Sequence, residues 1–223
     1  MKVLGFVGSP RKKGNTAILV DTFLNGASSA GADVKKFFLE DHTINQCMGC
    51  YRNCVLKPGY KCATFRDDMD TLLPEMVSSD LILFASPYYC SSYTAIMARF
   101  LERCLPLWEV EIVGELGTMN AFKFINNHLK GKKAVTGLVQ DFKDPATAEL
   151  AVKAFEETLG KTYMMQIVEK IHVTDVRDIG DINNKTAVLE KIFSIGKKLA
   201  QMLTPQMCDW SWSGDSNKMN SEI

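Results

Sequence analysis

Residues 3 to 30 constrain this chain more than any other stretch. Val3-Leu4-Gly5-Phe6-Val7 is a short apolar run, and Gly8-Ser9-Pro10-Arg11-Lys12-Lys13-Gly14-Asn15-Thr16 follows at once. A helical pattern then runs to about Ala30, with Ile18, Leu19, Phe23 and Leu24 on one face and Gly31 as a stop. A buried strand feeding a small, basic, hydroxyl-rich loop into a helix makes an anion site. The first backbone N–H groups of the helix lack internal partners, and the helix dipole favours negative charge there. Ser9, Asn15 and Thr16 can add side-chain hydrogen bonds, and Arg11, Lys12 and Lys13 add charge. The plainer alternative is an ordinary strand-to-helix turn with surface lysines.

What the loop lacks narrows the anion. A Walker A loop ends in Gly-Lys-Ser/Thr, whereas this one ends Gly14-Asn15-Thr16. A dinucleotide fingerprint needs further glycines near the first, but Gly8 is followed by Ser9 and Pro10. ATP and long dinucleotides lose ground to a terminal phosphate monoester, as carried by a mononucleotide.

The rest of the chain alternates strand and helix signals. Asp33 to Leu39 reads as an edge strand, Asp67 to Ser78 as a helix, and Asp80 to Ala85 as a strand buried on both faces. Ser92 to Leu105 reads as a helix, Lys133 to Val139 as a strand, and Pro145 to Leu159 as a helix closed by Gly160. Met165 to Val173 is the last strand and Lys185 to Leu203 the last helix. This pattern predicts an α/β fold, a flavodoxin-like three-layer sandwich whose five-stranded parallel sheet has the order 2-1-3-4-5. Residues 1–203 are expected to form one domain. It carries a cysteine-rich loop at 47–62 and an insertion at 108–132, the latter read as a lid over the cofactor or a subunit contact. Residues 204–223 form a polar tail with Trp210 and Trp212, suited to docking on a surface or else frayed.

In such a sheet ligands lie at the carboxyl ends of the strands, so the loops at Gly8–Thr16, Ser86–Ser92 and about Gln140–Asp144 should converge. The second loop reads Ser86-Pro87-Tyr88-Tyr89-Cys90-Ser91-Ser92. Tyr88 and Tyr89 can wall a flat ring, while loop amides and the Ser91 and Ser92 hydroxyls can serve its polar edge. An aromatic loop beside a phosphate loop at the switch point reads as an FMN site.

Lys+Arg and Asp+Glu balance at 26 each, which argues against bulk binding of nucleic acid or an anionic membrane. Neither a signal peptide nor a stretch of ~20 apolar residues is visible, and a cytoplasmic location is expected. In that compartment the seven cysteines read as thiols, metal ligands or redox groups rather than structural disulfides. Four of them, Cys47, Cys50, Cys54 and Cys62, lie within sixteen residues. Four thiols in one loop can hold an iron–sulfur cluster, although the second gap has three residues where tight cluster motifs have two. Zinc ribbons want a second Cys-x2-Cys pair, which is absent. An exchangeable Cys47–Cys50 disulfide and a plain reduced loop remain open. Cys90, Cys104 and Cys208 are isolated, and Cys104 falls in an apolar helical context that suits a core position.

The chain resembles the NADPH-dependent FMN reductase family, and within it the iron–sulfur flavoproteins. The resemblance is carried by Gly8-Ser9-Pro10-Arg11 to Asn15-Thr16, by Cys47-Met-Gly-Cys50 with Cys54 and Cys62, by Asp67-Asp68-Met69, and by Ser86-Pro87-Tyr88-Tyr89 leading to Arg99-Phe100-Leu101-Glu102-Arg103. It implies bound FMN, with Ser9, Arg11, Lys12, Gly14, Asn15 and Thr16 at its phosphate and Pro87, Tyr88, Tyr89, Cys90, Ser91 and Ser92 at the flavin. It also implies NAD(P)H as a reductant, a [4Fe–4S] cluster on Cys47, Cys50, Cys54 and Cys62, and a homodimer or homotetramer. Electrons would reach FMN from NAD(P)H or, through a cluster, from a ferredoxin-like protein, and would leave to a small-molecule acceptor. His42, His128 and His172 have no motif partners, and no protein acid or base is assigned. Two other classes stand beside the reductase: a flavodoxin-like electron carrier, which would usually be more acidic, and a cysteine-based redox sensor.

Overall fold

The structure, a computed structural model, describes residues 1–50, 52–56, 59–115, 118 and 121–203. Trp210, Trp212, Cys208 and the tail reading lie outside the described residues. The elements are β1 (Lys2–Val7), α1 (Asn15–Ser29), β2 (Asp33–Phe38), α2 (Arg52–Val55), α3 (Met69–Val77), β3 (Leu81–Pro87) and α4 (Ala95–Glu102). There follow β4 (Trp108–Ile112), β5 (Phe122–Asn127), β6 (Lys133–Val139), α5 (Glu149–Phe155), β7 (Gln166–Val173) and α6 (Thr186–Leu203).

Five strands form one parallel sheet in the order β2-β1-β3-β6-β7. This is the expected 2-1-3-4-5 arrangement once the β4–β5 hairpin, which pairs only with itself, is set aside. The sheet has this shape because β1 and β3 are apolar on both faces. Side chains alternate along a strand, so Leu4 and Phe6 face one core while Val3 and Val7 face the other. On the first face Phe6 meets Phe37, Phe84 and Phe100 at ring separations of 5.2, 5.8 and 4.6 Å. On the second, α1 and α6 cross with their backbones nearly touching. A Cβ added at Gly26 would stand 2.1 Å from the Phe193 carbonyl oxygen, and one at Gly196 would stand 2.1 Å from that of Phe23.

Two expected helix boundaries need correction. The helix begun at Pro145 is not closed by Gly160. A 3-10 turn leads into α5, which continues as a wider π-helical stretch over Glu156–Thr162, with Tyr163 N donating to Thr158 O at 3.0 Å. The left-handed stop falls on Met164 (φ 55°) instead. The helix after β3 starts at Ala95 rather than Ser92, because Thr94 caps it by accepting from Met97 N. Of the 108–132 insertion, no described residue lines the cavity at the strand ends. The insertion forms the β4–β5 hairpin, which leans on the cysteine segment. There His128 links Glu109 (2.8 Å) to the Tyr60 hydroxyl (3.2 Å), partners that no motif announced. No described helix is long and apolar enough to cross a membrane.

Candidate functional site

At the carboxyl end of β1 the chain is clamped on its neighbour. Gly8 N donates to Ala85 O at 2.8 Å, and the Thr94 hydroxyl donates to Gly8 O at 2.6 Å. Thr94 N in turn donates to Ser86 Oγ at 3.0 Å, so one threonine ties the first loop to the third strand. A side chain at Gly8 would press against Met97 at 3.0 Å. The loop then turns on Gly14, whose N–H bonds Arg11 O at 3.0 Å and where a Cβ would meet the Arg11 Cβ at 2.9 Å. Only a glycine lets the chain fold back this closely before α1 begins. The first turn of α1 contains no acidic residue of its own to offset the positive end of its dipole.

This helix start opens on a cavity of about 370 Å³, a size ordinary for small-molecule sites. Ser9, Arg11, Gly14, Asn15 and Thr16 line one side, Pro87, Tyr88 and Tyr89 a second, Val139, Gln140 and Asp141 a third, and Val176 and Arg177 a fourth. Ser9 is buried and its oxygen accepts from Arg11 N at 3.2 Å, which leaves the hydroxyl proton available to a ligand. Tyr88 is braced by its hydroxyl on Thr147 O (3.0 Å) and its ring edge-on to Phe142, while Tyr89 stands exposed at the rim. Gln140 is nearly fully buried. Its amide donates to Phe142 O and Asp144 O, its oxygen faces His172 Nε2 at 3.2 Å, and burial holds the His172 pKa below its ordinary value.

Four candidate residues sit elsewhere. Lys12 is paired with Asp41 at 2.6 Å and does not line the cavity. Cys90, Ser91 and Ser92 are likewise off the lining. Cys90 and Ser91 occupy left-handed conformations (φ 48° and 65°) in a two-residue turn closed by reciprocal backbone bonds between Tyr89 and Ser92. Asn15 lines the cavity, but its amide is spent on the backbone of Asp178, Gly180 and Ile182.

Around a second, small hollow Cys47, Cys50, Cys54 and Cys62 come together with Thr64, Phe65 and Arg103. Gly49 N and Phe65 N point at the Cys47 and Cys62 sulfurs at 3.5 Å, and Thr64 Oγ1 lies 3.6 Å from that of Cys50. Burial, reinforced by the three neighbouring thiols, pushes Cys54 up to about 11. The ends of this segment are held by one buried cluster. Arg103 bonds both Asp67 oxygens (2.7 and 3.1 Å) and Asn45 O (2.7 Å), while Asp67 accepts from Asn45 N and Nδ2. Among the described residues no disulfide forms, and no three acidic, histidine or cysteine side chains stand in metal-ligating geometry. The N–H groups aimed at Cys47 and Cys62 favour their thiolate forms, whereas the burial of Cys54 favours its protonated thiol.

The profile of the NADPH-dependent FMN reductase family matches residues 1–118, more than half of the chain. The chain belongs to this family. A protein of Archaeoglobus fulgidus named iron-sulfur flavoprotein is 40% identical over 106 residues, covering 48% of this chain and 46% of that protein. An iron-sulfur flavoprotein of Methanocaldococcus jannaschii is 37% identical over 107 residues, covering 48% of this chain and 53% of its own length. The matched span is thus about half the length of these relatives. Among solved structures, an NAD(P)H:quinone oxidoreductase from Methanothermobacter marburgensis superposes with a TM-score of 0.66 at 14% identity. The superposition covers 89% of this chain and 98% of that one. At that identity the likeness establishes the flavodoxin-like sandwich and nothing finer.

Within the family frame, the residues that sequence reasoning missed all lie beyond the matched span. Gln140 and Asp141 fell inside a loop expected to converge, though neither was singled out. Val176 and Arg177 follow the last strand, where the sequence carries no glycine-rich or aromatic signal. What brings them in is Asn15, a contact across 163 positions that no local pattern encodes.

Proposed function

We propose that this chain binds FMN in the cavity at the strand ends and acts as an NAD(P)H-linked flavin oxidoreductase. One observation carries the reading: a helix start, with an arginine that has no ion pair among the described residues, faces two tyrosines across a single cavity. The phosphate end would be held by Ser9, Arg11, Thr16 and the first-turn amides of α1, which supply fixed dipoles and charge without rearrangement. Pro87, Tyr88 and Tyr89 would wall the ring, and Asp141 would face its polar edge. FMN, when bound, would supply the hydride and electron chemistry. The protein's part would be to hold and orient the flavin. Under anaerobic conditions NADPH is expected to bleach the bound flavin; a bound flavin that dithionite bleaches and NADPH and NADH do not would overturn the nicotinamide link.

Cys47, Cys50, Cys54 and Cys62 are the residues that would hold a [4Fe–4S] cluster, a one-electron centre when present. Supporting this are their shared hollow, the N–H···S bonds and the name of the relatives. Anaerobically purified protein is then expected to contain iron and acid-labile sulfide at about four each per chain. Iron-free protein with four titratable thiols in this segment, unable to take up iron and sulfide on reconstitution, would overturn it.

A further inference from the structure

We propose that Arg177, on the loop after β7, is a second guanidinium ligand for the phosphate of the bound mononucleotide, and that Asn15 is the residue that positions it. The proposal rests on the flavin reading above. Arg177 lies far outside the phosphate loop in sequence, yet the fold brings it to the lining of the same cavity. Asn15 opens α1. Its Nδ2 donates to Asp178 O at 2.9 Å, and its Oδ1 accepts from Gly180 N at 3.1 Å and Ile182 N at 3.2 Å. The residue next to Arg177 is therefore bonded to the very turn of helix that receives the anion.

The loop is built to hold that place. Asp181 Oδ2 accepts from Arg177 N (2.9 Å) and Asp178 N (2.7 Å), fixing the backbone around the arginine. Gly180 takes the left-handed conformation (φ 88°) that the turn needs. Val176 is buried, and its N–H reaches Gln140 O at 3.2 Å, so the loop also continues the third wall. A segment pinned at four points would be excessive for a surface connection to α6. It is what a binding residue needs, because each restraint lowers the entropy lost on ligation.

Charge points the same way. Two lysines nearby are neutralised, Lys12 by Asp41 and Lys185 by Asp175. Arg11 and Arg177 line the cavity with no ion pair among the described residues. A phosphate monoester carries about −1.5 to −2 at neutral pH. The start of α1 contributes about half a positive charge and Arg11 one more, while Asp141 on the same lining takes about one away, so a second arginine brings the sum to about +1.5. The fork of a guanidinium also suits a tetrahedral oxyanion better than a lysine would.

The test is a titration of flavin-free protein with FMN and, separately, with riboflavin, read by flavin fluorescence. It compares wild type with Arg11→Ala, Arg177→Ala, Arg177→Lys, Asn15→Ala and the Asn15→Ala/Arg177→Ala pair. Arg177→Ala is expected to weaken FMN by about tenfold or more while leaving riboflavin within about twofold, as loss of one charge-assisted bond dictates. Arg11→Ala should do the same, and Arg177→Lys should recover only part. Asn15→Ala should weaken FMN in the wild-type background and add nothing once Arg177 is gone. FMN binding unchanged in Arg177→Ala, or FMN and riboflavin weakened alike, overturns the assignment while leaving the flavin site standing. Equal additional losses from Asn15→Ala in both backgrounds overturn the positioning role. A wild-type protein that binds neither flavin overturns this inference and the flavin reading together.

Discussion

Arg103→Met should lower the unfolding free energy by about 3–5 kcal/mol, the cost of leaving a buried carboxylate without its partner. Arg103 and Asp67 are 2% and 1% exposed at the side chain, and their pair holds both ends of the cysteine segment. Urea unfolding at neutral pH would measure the loss. The pair also fixes a pH dependence. Burial opposes ionisation of Asp67, but the bonds from Arg103 and Asn45 outweigh it and hold its carboxyl below the usual range. The folded state therefore takes up this proton at lower pH than the unfolded chain. Its contribution is complete above the unfolded value of about 4 and is lost as pH falls through the folded one. The gap between wild type and Arg103→Met should accordingly narrow on acidification. A gap that stays constant from neutral pH into the acid limb would mean that Asp67 is not the group Arg103 serves.

Gly196→Val is the second large effect. A Cβ at Gly196 would stand 2.1 Å from the Phe23 carbonyl oxygen and 3.0 Å from its carbon, and both atoms are backbone. Nothing can rotate away, so α1 and α6 must separate. The expected loss is about 3 kcal/mol or more, at the upper end of overpacking penalties. It outweighs the ~1 kcal/mol that replacing a helical glycine otherwise returns. Because α1 also carries the helix start at the cavity, FMN affinity should fall with stability. Gly160→Ala is the contrast. Its Cβ would meet only Ile167 Cδ1 at 3.7 Å, and the change should be neutral or stabilise by up to ~1 kcal/mol. Equal thermal midpoints for the two variants would contradict the crossing described.

Much of this architecture was legible in the chain because it is encoded locally. The apolar runs at Val3–Val7 and Leu81–Ala85, the loop that turns on Gly14 and the stop at Gly31 each announce themselves within a few residues. So did the convergence of the first two loops, which follows from strand order alone. What stayed hidden depends on contacts made across the fold. Lys12 looks like a phosphate ligand until Asp41, on the turn after β2, takes its charge. Asn15 looks like one until its amide is found bonding a loop more than 160 positions away. Cys90 and Ser91 sit next to the aromatic wall in sequence, yet a tight turn carries them off it. Gly160 resembles a helix stop, but the backbone there passes on as a π-helical stretch to Met164. Both helix-crossing glycines are silent in sequence, because nothing local tells a glycine under another backbone from one in open space.

The central claim is that the cavity between the start of α1 and the Tyr88–Tyr89 loop holds FMN by its phosphate. The most direct measurement is an FMN titration of flavin-free wild type and of Arg11→Ala, with circular dichroism confirming that both are folded. Saturation of the wild type at about one FMN per chain, with affinity reduced about tenfold or more in Arg11→Ala, is the predicted result. A folded wild-type protein that takes up no FMN, or one whose affinity is untouched by the loss of Arg11, would contradict it.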